Sequence, residues 1–92
     1  MQINVWTKSN CVQCMQTKKV MDRSGIRYTE MNLEEHPDKV QEFIELGLTA
    51  APIVETDIKK WSGFRLNKIM SLAHHLFEEK KDHAITPKAV SA

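Results

Sequence analysis

Two cysteines, Cys11 and Cys14, are the whole thiol complement of this 92-residue chain, and only Val12 and Gln13 separate them. That spacing supports a dithiol that cycles with a disulfide, or half of a zinc site. An apolar, β-rich run (Ile3, Val5, Trp6) precedes the pair, and a helix-like segment from Val12 to Ser24 follows it. Cys11 is therefore expected at a helix start, where unpaired backbone N–H groups and the positive end of the helix dipole favour a thiolate. The dipole contributes roughly 0.3 to 1 kcal/mol, less than one pKa unit at about 1.36 kcal/mol per unit. N–H to sulfur hydrogen bonds and the cation of Lys8 are the additions that would bring the thiol from about 8.5 to near 7. Cys14 lies one turn further on the same side, so its pKa stays higher. The pair then has the asymmetry of a dithiol reductant: Cys11 attacks a disulfide and Cys14 resolves the mixed disulfide.

The zinc alternative needs two more ligands, and His36, His74, His75 and His83 are the candidates. Adjacent helical residues point about 100 degrees apart, so His74 and His75 do not form an i, i+4 pair. With no second C-x-x-C, the histidines read as surface residues, no metal is expected, and a small metal-binding module is the alternative from a different class.

The net charge of +1 argues against a dedicated nucleic-acid binder. No apolar run approaches a membrane span, and the first residues, Met1 to Trp6, lack the pattern of a signal peptide. A cytoplasmic monomer with one domain over residues 1–79 and a poorly ordered tail over 80–92 is expected.

The elements that must position the cysteines follow from pattern. Gln2 to Trp6 reads as a strand and Val12 to Ser24 as a helix with Cys14, Thr17, Val20 and Met21 inward and Gly25 as its stop. Arg27 to Leu33 reads as a second strand, completing a right-handed crossover unit. His36-Pro37 opens a second helix with Val40, Phe43 and Ile44 inward, and Gly47 ends it. Ala51 to Glu55 and Ile58 to Trp61 read as strands joined by a two-residue turn, Thr56-Asp57. The last helix carries Leu66, Ile69, Met70, Ala73, Leu76 and Phe77 at helical spacing. The order βαβαββα predicts an α/β fold, a four-stranded sheet flanked by three helices. Cys11 falls at the carboxyl end of the first strand, where open α/β sheets place their sites.

Three segments now carry a resemblance to the thioredoxin superfold and, within it, to the NrdH-type redoxins of glutaredoxin size. Cys11-Val12-Gln13-Cys14 is similar to their active-site sequence, Ala51-Pro52 resembles the cis-proline segment, and Trp61-Ser62-Gly63-Phe64-Arg65 matches the signature before the last helix. The resemblance implies a four-stranded mixed sheet with Pro52 in cis facing the cysteines. It also implies an electron donor to class Ib ribonucleotide reductase, reduced by thioredoxin reductase at the expense of NADPH, with no bound cofactor beyond the redox-active Cys11–Cys14 disulfide. Lys8, Val12, Gln13, Ala51, Pro52 and residues 61–65 are the expected partner-binding set, with the Ala51 backbone pairing an extended substrate strand. Glutaredoxins commonly hold the glutathione α-carboxylate on a glycine pair and an acidic or hydroxyl residue at the start of the last helix. Ser62-Gly63-Phe64-Arg65 puts bulk and a cation there, so weak glutathione binding is expected, and a glutathione-dependent dithiol glutaredoxin is the enzyme-class alternative.

The chain departs from the family pattern at Leu66, where proline is usual, at Trp6, often tyrosine, and at Ser9-Asn10, which lack a proline before Cys11. Trp61 reads equally as a core-covering strand residue or as partner surface. Met21, Met31 and Met70 read as core filler, Glu34, Glu35, Asp38, Glu42 and Glu45 as a solvated face. Arg65 is mildly unfavourable to a helix start, which suggests a second role within its loop or toward the reductase.

Overall fold

Side chains alternate across a strand, and the central strands of this chain use both sides. In the computed structural model, which describes residues 1–84, the elements run β1 (Asn4–Thr7), α1 (Val12–Arg23), β2 (Thr29–Asn32), a single 3-10 turn (Leu33–Glu35), α2 (Pro37–Glu45), β3 (Ile53–Glu55), β4 (Lys60–Ser62) and α3 (Leu66–Ala84). The sheet order is β2-β1-β3-β4. β1 and β2 are parallel, and β3 runs antiparallel to both β1 and β4. Val5, Val54 and Trp61 stand in one row across the register. They pack with Ile3, Met21, Ile26, Ile69 and Leu72 into the core that α1 and α3 cover. Trp6 and Ile53, one step along, face the other way and meet Phe43 of α2. The expected order and the mixed four-stranded sheet between three helices are thus the ones found.

The helix ends are set by backbone chemistry. After α1, Gly25 at φ +73° lets its own N–H reach the carbonyl of Asp22 and that of Ile26 reach Met21. This is a Schellman closure, with Ile26 and Met21 in contact in the core as its apolar partner pair. Gly47 at φ +80° repeats it after α2, with Gly47 bonded to Ile44 and Leu48 to Phe43. Pro37 occupies the first turn of α2, where its missing N–H costs nothing.

Several expectations need correction. The strands are shorter than their β-rich runs, because pairing stops where the partner strand stops. The β3–β4 connection has four residues, Thr56 to Lys59, with β4 starting at Lys60. The Thr56 hydroxyl accepts the N–H groups of Ile58 and Lys59, and its own N–H donates to the Lys59 carbonyl. That side-chain closure extends the turn beyond two residues. On α3, Ile69 and Leu72 are buried and Ala73 and Leu76 partly so, whereas Leu66, Met70 and Phe77 are exposed. Met70 and Phe77 each follow a buried-side residue and are rotated about 100° from it, off the narrow arc that faces the sheet and α1. Ile44 is likewise half exposed. His36 is half-buried, set edge-on to Trp6 at 5.2 Å, with Nδ1 2.9 Å from the Asn32 carbonyl. The last helix continues to Ala84, past Glu79, and residues 85–92 of the expected tail lie outside the described residues.

A polar cluster ties α2 to the sheet. Glu55 Oε1 accepts the Trp6 indole N–H at 3.0 Å and the Asn4 amide at 3.3 Å, and Glu55 Oε2 lies 3.3 Å from Lys39 Nζ. The same ammonium sits 5.4 Å from the Trp6 ring centroid and 4.9 Å from that of Phe43, within cation–π range. Burial alone would raise the Glu55 pKa, but the Trp6 and Asn4 hydrogen bonds and the Lys39 charge outweigh it and hold the carboxyl below its usual value. Glu30 is also lowered, chiefly by its hydrogen bond from Lys18, although its 45% exposed side chain screens the gain.

A carboxyl whose folded pKa is depressed adds stability above the unfolded pKa and loses it as the pH falls through the folded pKa. Urea unfolding at a series of pH values is therefore expected to show stability falling on acidification below about 4.3, the ordinary glutamate value. Glu55→Gln keeps one acceptor oxygen for Trp6 and Asn4 but turns an NH2 toward Lys39, so the charge-assisted bond is lost; the variant is expected to cost about 1.5 kcal/mol near neutrality and to flatten that acid limb. An acid limb equally steep in the variant would remove Glu55 from the account.

Candidate active site

The sheet register brings three loops to one end. Thr7, the last residue of β1, pairs with Asn32, and Trp6 pairs with Ile53, the first residue of β3. Ile53 in turn pairs with Ser62, the last residue of β4. The loop before Cys11, the Ala51-Pro52 segment and the Gly63–Arg65 segment therefore leave the sheet side by side.

Asn10, at φ 55°, turns the chain from β1 into α1 through the left-handed region, which asparagine tolerates better than other non-glycine residues. Cys11 is then the N-cap: its backbone is extended, its carbonyl accepts the Met15 N–H, and its Sγ accepts the Cys14 N–H at 3.1 Å. The expected N–H to sulfur hydrogen bond is present. The two cysteines form a disulfide with Cα atoms 5.2 Å apart. Cys14 is 2% exposed, whereas Cys11 is partly open to solvent. Of the pair, Cys11 is thus the one open to an incoming thiolate. Lys8 is exposed in the loop ahead of them. Ser9 anchors that loop through its hydroxyl, 2.9 Å from Glu34, and the Thr7 hydroxyl bonds Glu30 at 2.9 Å.

The Ala51–Pro52 bond is cis, as the resemblance implies, and Pro52 is buried. Ala51 lies two residues before the first rung of β3, partly exposed, beside a groove lined by Lys8, Val40, Phe43, Ile44 and Leu48. The Pro52 carbonyl accepts the Gly63 N–H at 2.8 Å, which binds the second loop to the third. Gln13 binds the first to the third: its Oε1 accepts the Phe64 N–H at 2.9 Å. A Cβ on Gly63 would approach that same oxygen to 3.4 Å, in addition to the strain of φ +80°. Arg65 donates from Nε to the Ser62 carbonyl at 3.2 Å, while its own carbonyl accepts from Lys68 and Ile69. The hydrogen bond within its own loop is thus present. Leu66 opens α3 at the first helical position, where the family's proline would also fit.

Of the residues singled out in the sequence, Cys11, Cys14, Gln13, Pro52, Gly63 and Phe64 are connected by these bonds at one end of the sheet. Val12 and Met15 are exposed apolar side chains beside Cys11. Trp61 stands apart: it is 3% exposed within the core, so of its two roles it takes the covering one and offers a partner almost no surface. Pattern alone missed the bond between Gln13 and Phe64, which joins residues 51 positions apart and leaves no periodic signal. It also missed the Thr7–Glu30–Lys18 cluster, for the same reason. Among the described residues, no three His, Cys, Asp or Glu side chains converge as a metal-binding group, and no helix is long and apolar enough to cross a membrane.

Comparison with known proteins agrees with this geometry. The glutaredoxin family pattern matches residues 3–61. The chain is 38% identical over 71 residues to the glutaredoxin-like protein NrdH of Lactococcus lactis subsp. cremoris, covering 77% of this chain and 99% of that protein. It is 35% identical over 72 residues to the NrdH protein of Salmonella typhimurium, covering 78% and 89% respectively. The solved structure of NrdH-redoxin from Escherichia coli, described as a glutaredoxin-like protein with a thioredoxin-like activity profile, superimposes with a TM-score of 0.75 at 32% identity, over 78% of this chain and 95% of that one. With its C-x-x-C disulfide at the helix start, its cis-proline beside it and these relatives, the chain belongs to the glutaredoxin family as an NrdH-type, glutaredoxin-like redox protein.

Proposed function

We propose that this thiol-disulfide oxidoreductase donates electrons to class Ib ribonucleotide reductase and is itself reduced by thioredoxin reductase, with NADPH as the ultimate source. The reduced Cys11 thiolate attacks a disulfide of the partner protein, one partner sulfur leaves with the electron pair, and a mixed disulfide forms on Cys11. Cys14 loses its proton and attacks Cys11 Sγ, so the partner departs as a dithiol and Cys11–Cys14 closes again. Two electrons have passed to the partner. The protein works as a cytoplasmic monomer, in a compartment where thiols are kept reduced. Lys8, Val12, the Ala51 backbone and Phe64, from the loops gathered at this end of the sheet, serve as the contact set, the extended partner segment lying along Ala51.

The observation that carries the choice of reductant is the bond from the Phe64 N–H to Gln13 Oε1 at 2.9 Å. Backbone N–H groups in this segment are what a glutathione carboxylate would need. Phe64 gives its N–H to Gln13 and Gly63 gives its own to Pro52, so binding the tripeptide there means breaking bonds already made. The thioredoxin-like activity profile stated for the Escherichia coli relative is in line with this preference.

Loss of NADPH absorbance tests the proposal, with thioredoxin reductase in one reaction and glutathione plus glutathione reductase in another. Rapid reduction of the oxidised protein is expected in the first alone, followed by support of ribonucleotide reduction. Cys14→Ser is expected to accumulate a mixed disulfide with the partner, and Cys11→Ser to give no turnover; turnover by Cys11→Ser would refute the division of roles. Gln13→Ala frees the Phe64 N–H, and glutathione-driven reduction should rise roughly fivefold, the equivalent of about 1 kcal/mol for one hydrogen bond. No rise, with the fold intact by circular dichroism, would mean that Gln13 does not bar glutathione.

A further inference from the structure

Thr17 follows Cys14 by one turn of α1 and is 0% exposed. Its hydroxyl has no hydrogen-bond partner among the described residues. In a helix such a hydroxyl ordinarily bonds the carbonyl three or four residues back, and this one does not. Valine has the same branched shape without the polar atom, so a purely packing role gives no reason for a buried hydroxyl. Helical side chains lean toward the N-terminus, and residues three apart share a face with Cβ atoms about 5–6 Å from each other. Thr17 therefore leans over the turn that carries Cys14, a residue 2% exposed whose sulfur is held in the bond to Cys11. A disulfide sulfur has no proton to give and accepts poorly. A thiol gives and accepts, and a thiolate accepts strongly.

We propose that Thr17 is a positioning residue for the resolving cysteine: its hydroxyl is unpaired while Cys14 is in the disulfide and bonds Cys14 Sγ once the disulfide opens. This rests on the dithiol–disulfide cycle proposed above and not on the identity of the partners. When a thiolate of a dithiol reductant attacks Cys11 Sγ, the Cys11–Cys14 bond breaks and its electron pair leaves on Cys14 as a buried thiolate. The Thr17 O–H donates to that anion until a proton arrives from solvent. The reductant's second thiolate then attacks the reductant sulfur in the mixed disulfide, closing the reductant's own disulfide and releasing the Cys11 thiolate. The reductant has lost two electrons and the protein has gained them. The hydroxyl acts in the same direction on both states: it leaves the oxidised form with an unsatisfied group and supplies the reduced form with a donor.

The test is the equilibrium of the full-length protein with dithiothreitol, read by the fraction of free thiols, which involves neither reductase. Thr17→Val, isosteric but without the hydroxyl, is expected to shift the constant about tenfold toward the disulfide, or ~30 mV more negative for a two-electron couple. Thr17→Ser, which keeps the hydroxyl and loses the methyl, is expected to stay near the parent protein. Thr17→Ala provides a second hydroxyl-free variant where Thr17→Val does not fold. An unchanged potential in both hydroxyl-free variants would overturn the proposal, as would a shift in Thr17→Ser equal to theirs, which would assign the effect to packing. Failure of the partner proposal would appear instead in the NADPH-coupled reactions, with the dithiothreitol equilibrium unaffected.

Discussion

The antiparallel pairing of β1 with β3 is the constraint from which the site follows. A strand ladder fixes which residues stand opposite one another, and a slip of one residue would turn every side chain to the other face. With Trp6 opposite Ile53 and Val5 opposite Val54, both cores are defined at once. The same register sets the end of β1 beside the start of β3 and, through Ile53 and Ser62, beside the end of β4. Cys11, Pro52 and Phe64 come from distant parts of the chain, yet the ladder leaves them no freedom to separate.

Within that frame the redox centre uses the ends of helices. The first turn of α1 has N–H groups without intrahelical partners, and Cys11 Sγ accepts one of them from Cys14. The Gly63 and Phe64 N–H groups ahead of α3 are assigned to Pro52 and Gln13. One end offers donors to a sulfur that must carry charge, while the other has its donors occupied by the protein itself. That difference is the physical basis of the proposed preference for protein partners over a small peptide thiol.

Much of this was legible in the linear chain because it rests on local chemistry. Cys11 and Cys14 sit one turn apart by spacing alone, Gly25 and Gly47 close helices because a left-handed residue is needed there, and Pro37 opens one because its ring suits a first turn. The inward set of α1, Cys14, Thr17 and Met21, is the one its periodicity indicates. Periodicity failed on α3, where Met70 and Phe77 are exposed, since a pattern shows that apolar residues are near a face and not how wide the covered face is. It failed at Thr56 as well, whose hydroxyl closes a four-residue turn that composition alone had shortened.

The sequence by itself determined the order of elements, the ends of the first two helices and the position of the reactive sulfur at a helix start, because each depends on residues within a few positions of one another. Only the tertiary structure decided that Gln13 occupies the Phe64 N–H, that Glu55 gathers Trp6, Asn4 and Lys39, that Trp61 is core and not surface, and that the Thr17 hydroxyl has no partner among the described residues. Those facts depend on where separate elements meet. Hydrogen-bond partners and burial are properties of the packed arrangement, and a residue's type sets what it can donate or accept without saying which group will stand opposite.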